Sequence, residues 1–185
     1  MNHEKSDETV DLQVSRFLAS RAIALGLRGV PGIYLPSLFG ARNDLKGVLE
    51  SGDPRSINRK NIDEETLLLK LGDRTSSSHK VATGFSNLID KRSENLAFHP
   101  NGSQKILQGN PAVFSLVRVS PDHRHRVVAL VNVSARRQQV RFSAPEIGLG
   151  SSSWIDILTD ERFPSSDGGI ATTLEPFQIR WFSPE

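Results

Sequence analysis

No cysteine occurs anywhere in the 185 residues, so neither a disulfide nor a thiolate metal site can form. That absence is in keeping with a reducing compartment, and the cytoplasm is the expected location. Aromatic residues are sparse, at 6% of the chain, with two Trp and one Tyr. Charge of either sign is not in large excess: 23 Lys and Arg face 21 Asp and Glu, a net charge of +2. The densest basic clusters, DHRHR at 122–126 and ARRQQVR at 135–141, lie between strand-like runs. No aromatic platform or basic helical face accompanies them, so they read as solvated hairpin ends and not as a nucleic-acid surface. Long apolar runs are missing too, and none approaches the ~20 residues that a membrane span requires. The first residues, MNHEKSDETVDLQ, are polar and acidic, unlike a secretory signal with its basic start and apolar run.

What is present falls into two unlike parts. In the first, Val14, Phe17, Leu18, Ala22 and Leu25 recur at helical spacing, which predicts a helix over 12–27, stopped by Gly29, Pro31 and Gly32. A brief strand is expected at 33–35, apolar on both faces in the manner of a buried parallel strand. Residues 37–61, rich in Gly, Asp, Asn, Arg and Ser, read as a long loop with one helical turn at 45–49. Asp63 stands as the N-cap of a helix with acids in its first turn and Gly72 at its end. A second long helix is expected over 78–95 from Val81, Phe85, Leu88 and Ile89, although Gly84 inside it costs about 1 kcal/mol relative to Ala.

Beyond Gly109 the period becomes two. AVFSLVRVS, RVVALVNVS, QQVRFSA, WIDILTD, GIATTLE and PFQIRWFS are six short strands separated by turn clusters such as SPDH and SSDGG. They predict a small antiparallel β-sandwich over 109–185, behind an α/β part over 1–108. One strand cannot form a sheet by itself, so the α/β part needs partners from elsewhere.

Four stretches carry a resemblance: GVPGIYLPSLFGARND, GDPRSINR, RSENLAFHPNG and LEPFQIRWF. In this order they are similar to the C-terminal third of sucrose phosphorylases and related glucoside phosphorylases of the α-amylase superfamily. GVPGIY and the closing L-x-P-F-x-x-x-W are widespread in that superfamily, whereas G-x-x-R-x-I-N-R is specific to the phosphorylase group. The resemblance implies a (β/α)8 barrel followed by a C-terminal β-domain. A complete barrel takes about 250 residues, and only 108 precede Gly109 here. The chain is therefore expected to be a C-terminal remnant holding the last barrel strand, its flanking helices and the β-domain.

The resemblance also implies chemistry. Family members transfer glucose from an α-glucoside such as sucrose to inorganic phosphate by a retaining double displacement, using two carboxyl groups about 5–5.5 Å apart. Those carboxylates belong to earlier strands, and no Asp or Glu here matches their motifs, so no catalytic residue is assigned. No metal or organic cofactor is implied; phosphate is a co-substrate, and the missing barrel portion is the expected partner. Arg55 matches an arginine that reaches the base of the glucose pocket, a task its fixed fork suits. Arg59 reads first as a structural ion-pair former and second as a ligand contact. Asn43 and Asp44 follow the strand end, where barrel enzymes place functional groups, but a local turn capping 45–49 explains them as well. Tyr34 reads as barrel packing. His123 and His125 alternate beside Asp122 with no third ligand nearby, too little for a metal site. His99 is expected to pack where the last helix meets the β-domain. Two readings from other classes stay open: a remnant of an α-glucosidase or amylase, from which GDPRSINR points away, and a non-catalytic chain or split-enzyme half.

Overall fold

A computed structural model of the chain describes residues 8–58 and 61–185. Five helices and eight strands are formed among them. The helix expected over 12–27 is α1, Val10–Gly26, capped by the Thr9 hydroxyl accepting from the Leu12 N–H. The single turn expected at 45–49 is α2, Leu45–Ser51, and α3 is Glu64–Gly72 with Asp63 as its N-cap. The long second helix is α4, Ser77–Glu94, capped by Ser76. Helices α1 and α4 pack against each other. Their apolar faces meet where Gly84 lies against Leu18, and a Cβ at Gly84 would come within 2.4 Å of the Leu18 side-chain tip. The glycine that weakens α4 thus makes room for the Leu18 side chain of α1. Gly84→Ala should gain about 1 kcal/mol of helix propensity yet lose about 2 kcal/mol to overpacking. A small net destabilisation in urea unfolding is the expected outcome.

The strand expected at 33–35 is not formed. Residues 30–34 have no ladder, and Leu35–Phe39 closes a 3-10 turn ending on Gly40 in the left-handed region at φ 63°. The reason is physical: a parallel strand needs neighbours to satisfy its amides and cover its faces, and among the described residues this half offers none. Its apolar residues face outward, Val30 at 81% and Leu35 at 64% exposure.

The β half contains the six expected strands and two more. β1, Ser103–Ile106, precedes the expected start of the β half. β2 is Val113–Val119, β3 Arg126–Asn132, β4 Gln138–Phe142 and, after the short helix α5 at Ala144–Ile147, β5 Ser153–Asp156. β6, Glu161–Pro164, is the second addition, followed by β7, Ile170–Leu174, and β8, Ile179–Pro184. The strands form an antiparallel six-stranded sheet in the order β1-β2-β3-β8-β5-β6 and a two-stranded sheet β4-β7.

The larger sheet is a middle layer. One face carries Leu116, Val127, Ala129, Val131 and Trp181 onto Ala22 and Leu25 of α1 and Phe85 and Leu88 of α4. The opposite face carries Val117, Val128, Leu130, Trp154 and Phe182 onto Val140, Phe142, Ile170 and Leu174 of the small sheet. Both faces of β2 and β3 are covered, which is why these strands read as almost unbroken apolar runs.

Candidate functional site

The described residues bring Arg55 to an open cleft of ≈540 Å³ lined by Arg21, Tyr34, Ser37, Arg55 and Asn58. It adjoins a more enclosed recess of ≈170 Å³, where the same Arg21, Tyr34, Ser37 and Asn58 are joined by Arg42 and Asn43. Local sequence builds this wall. Pro36 and Gly40 shape the 3-10 turn that presents Ser37, and Pro54 opens a second 3-10 turn, Pro54–Asn58, that presents Arg55 and Asn58. The Arg55 N–H donates to Asp53 Oδ1 at 2.9 Å, fixing the start of that turn. The Asp44 N–H donates to the Ile57 carbonyl at 2.9 Å and so ties the two turns together. The Tyr34 hydroxyl closes the wall by donating to the Asn58 carbonyl.

Of the residues singled out by sequence, Arg55 and Asn43 line this region. Asp44 is placed beside it with its carboxylate engaged: Oδ1 accepts from the Gly47 N–H at 3.0 Å and caps α2. Arg59 lies outside the described residues. Arg21, Ser37 and Asn58 were not legible as site residues. Arg21 stacks on Phe17, 5.3 Å from the ring centroid, and in sequence it is an ordinary surface arginine on an amphipathic helix. Arg21, Arg42 and Arg55 make the region cationic, and Ser37, Tyr34 and Asn58 add neutral polar groups, a combination suited to anionic groups and sugar hydroxyls. Among the described residues no carboxylate lines the Arg55 cleft, and what this wall supplies is groups that bind and orient. Among the described residues no three His, Asp or Glu side chains group to hold a metal ion. His123 lies in the β2–β3 turn at φ 62°, and His99 is exposed, although its carbonyl is used by Arg118.

Two further arginines, at the C-terminal end of α1, were not legible in the sequence. Arg118 is fully buried on β2 and donates to the carbonyls of Gly26, His99 and Ser103 at 3.0, 2.8 and 3.2 Å. Burial, helped by the nearby Arg92 and Arg28 charges, pulls its guanidinium down to about 10. Arg92 on α4 donates to the carbonyls of Leu25 and Gly29 at 2.8 and 2.9 Å. An arginine interrupting the apolar run FSLVRV was the available signal, because a charge in a two-sided strand must find buried partners.

No family model matches the chain. Among solved structures, AmyP bound to maltose superposes with a TM-score of 0.73 at 17% identity, covering 96% of this chain and 36% of that one. The α-amylase of Geobacillus thermoleovorans, solved with acarbose, gives 0.71 at 14% identity over 93% of this chain and 33% of its own. The fold is therefore the one that these two amylases show over about a third of their chains. By sequence the chain is similar to one portion of glucosylglycerate phosphorylases: that of Allomeiothermus silvanus is 40% identical over 181 residues, 98% of this chain. The chain spans 29% of that relative's length.

Proposed function

We propose that this chain is the C-terminal portion of a cytoplasmic retaining phosphorylase that transfers glucose from an α-glucoside to inorganic phosphate. Residues 1–108 supply the end of its barrel and residues 109–185 its β-domain. The observation that carries the reading is the 40% identity sustained over 98% of the chain. Because the matching relative bears that name, glucosylglycerate is a better donor for this proposal than sucrose. Arg55 binds the glucose, with Asn43, Asp44 and Arg59 as supporting contacts, and the carboxylates come from the barrel portion that the chain joins. The outward apolar side chains support this need for a partner: Val30, Leu35, Leu45, Leu49, Leu68 and Leu69 in residues 30–69 are all more than half exposed, and outside that range Leu96 is too.

The test is complementation. The pure chain, given glucosylglycerate or sucrose with phosphate, should release no glucose 1-phosphate. Mixed with the Allomeiothermus silvanus enzyme truncated of its matching segment, it should restore phosphorolysis of glucosylglycerate. In the mixture Arg55→Ala should lower kcat/KM about tenfold or more, the loss expected for a charged hydrogen bond. Phosphorolysis by the chain alone would overturn the proposal, as would an Arg55→Ala mixture with unchanged kcat/KM.

A further inference from the structure

Arg92 and Arg118 converge on one place, the C-terminal end of α1 and the first residues after it. Between them they make five hydrogen bonds, every one to a backbone carbonyl: Leu25, Gly26 and Gly29 on the α1 side, His99 and Ser103 on the β side. Both guanidiniums also lie over one ring, Phe98, at 5.6 and 6.0 Å from its centroid. Phe98 in turn packs on Trp181 of β8, with centroids 4.6 Å apart. A third tie runs parallel to these, the Arg28 N–H donating to Gln104 Oε1 on β1 at 2.7 Å.

The carbonyls at a helix C-terminus have no partner within the helix and carry the negative end of its dipole. Water or a glycine cap ordinarily serves them. Here a half-buried cation from α4 and a buried one from β2 serve them instead, and one bond reaches past the helix to Gly29. That residue begins the segment whose next stations are Tyr34, Ser37 and Asn43 of the cleft.

We infer that Arg92 and Arg118 are positioning residues: a two-arginine clamp through which α4 and β2 together fix the root of the cleft-lining segment. Neither arginine lines the cleft itself. Of the two, Arg92 alone holds Gly29. Lysine cannot replace Arg92, because a single ammonium on a flexible stem cannot hold the Leu25 and Gly29 carbonyls in one planar fork. The inference stands on this geometry alone and is independent of the activity proposed above.

Hydrogen exchange on the full chain without substrate tests it, using Arg92→Gln, Arg92→Lys, Gln104→Ala and, as a control, Trp154→Phe, which disturbs the far side of the sheet. Arg92→Gln should speed exchange of the amides of Leu25, Gly26, Leu27 and Arg28 about tenfold or more relative to those of β3. Arg92→Lys should recover only part of that protection, and Gln104→Ala should loosen the same amides to a smaller extent. Trp154→Phe should raise exchange in the β4–β7 sheet and leave residues 25–28 near wild type. Equal acceleration everywhere in Arg92→Gln, the pattern of simple destabilisation, would overturn the clamp. So would full recovery by lysine.

Discussion

Asp156→Ala should lower stability by about 4 kcal/mol in equilibrium urea unfolding, among the largest losses for any single substitution in this chain. The carboxylate is completely buried where β5 meets β8. Its Oδ1 accepts from the backbone N–H of Trp181 at 3.1 Å and of Leu158 at 3.2 Å. Its Oδ2 accepts from Arg180 at 3.1 Å and from the Thr159 hydroxyl at 3.3 Å. Alanine removes all four acceptor contacts. Arg180 keeps Glu161 at 2.9 Å, so the broken ion pair costs about 3 kcal/mol, the lower end for a buried pair. The orphaned Trp181 N–H adds about 1 kcal/mol. A loss below about 1 kcal/mol would show that water or Glu161 replaces the carboxylate.

The same residue gives a pH signature of unusual sign. Burial raises the Asp156 carboxyl above its ordinary value, outweighing the hydrogen bonds and the Arg180 charge that act to lower it. The folded chain therefore holds that proton more tightly than the unfolded chain. Its contribution to stability is fully present below about pH 3.8, the unfolded value, and is lost as pH rises through the folded value. The stability gap between wild type and Asp156→Ala should accordingly widen, not narrow, as pH falls from neutrality toward 4. Surface carboxylates behave oppositely. Hydrogen bonds from Thr66 lower Asp63, and hydrogen bonds from Ser143 lower Glu146. The stability these two give is present above the unfolded carboxylate range and is lost as pH falls through their folded values.

Legibility in the sequence followed burial. Strands with a covered face announced themselves by alternation or, in β2 and β3, by nearly unbroken apolar runs, and all six such runs are strands. The two that escaped, SQKI and ERFP, are the outermost strands of the large sheet. An edge strand can stay mostly exposed, as β1 and β6 do, so it shows little apolar period and is free to carry charge or proline. The helices were legible from their stripes and caps, Asp63 and the 3.6-residue spacing in α1 and α4 above all. Ile33 to Leu35 went the other way. Their apolar character on both faces describes a sheet to which these residues would belong, and sequence carries that requirement whether or not the neighbours are in hand. In the cleft, Arg55 was reached through the motif around it, whereas Arg21, Ser37 and Asn58 meet only because two proline-started turns fold toward α1. No local pattern encodes that meeting.

Trp154→Ala should cost about 3–5 kcal/mol, the range for emptying a fully buried aromatic site, and should act on one layer of the molecule before the others. The small β4–β7 sheet shares no ladder with the large one; side-chain packing joins them, and Trp154 is completely buried in that packing. Its indole N–H also donates to the Gly169 carbonyl at 2.9 Å. Gly169 lies so close to β4 that a Cβ there would fall 2.1 Å from the Phe142 carbonyl oxygen. The indole thus fastens the loop entering β7 where its backbone lies close against the end of β4. Removing it should release protection in β4 and β7 before α1 or α4, which pack on the opposite face. Trp154→Phe should cost less, about 1–3 kcal/mol, for the lost indole hydrogen bond and the smaller ring; the Gly169 carbonyl keeps the Ser166 N–H at 3.1 Å. Trp181 offers the matched comparison on that other face, because its indole N–H has no hydrogen-bond partner among the described residues. Trp181→Phe should therefore be milder than Trp154→Phe, and the reverse order in urea unfolding would show that the Trp154–Gly169 bond is not what holds the small sheet in place.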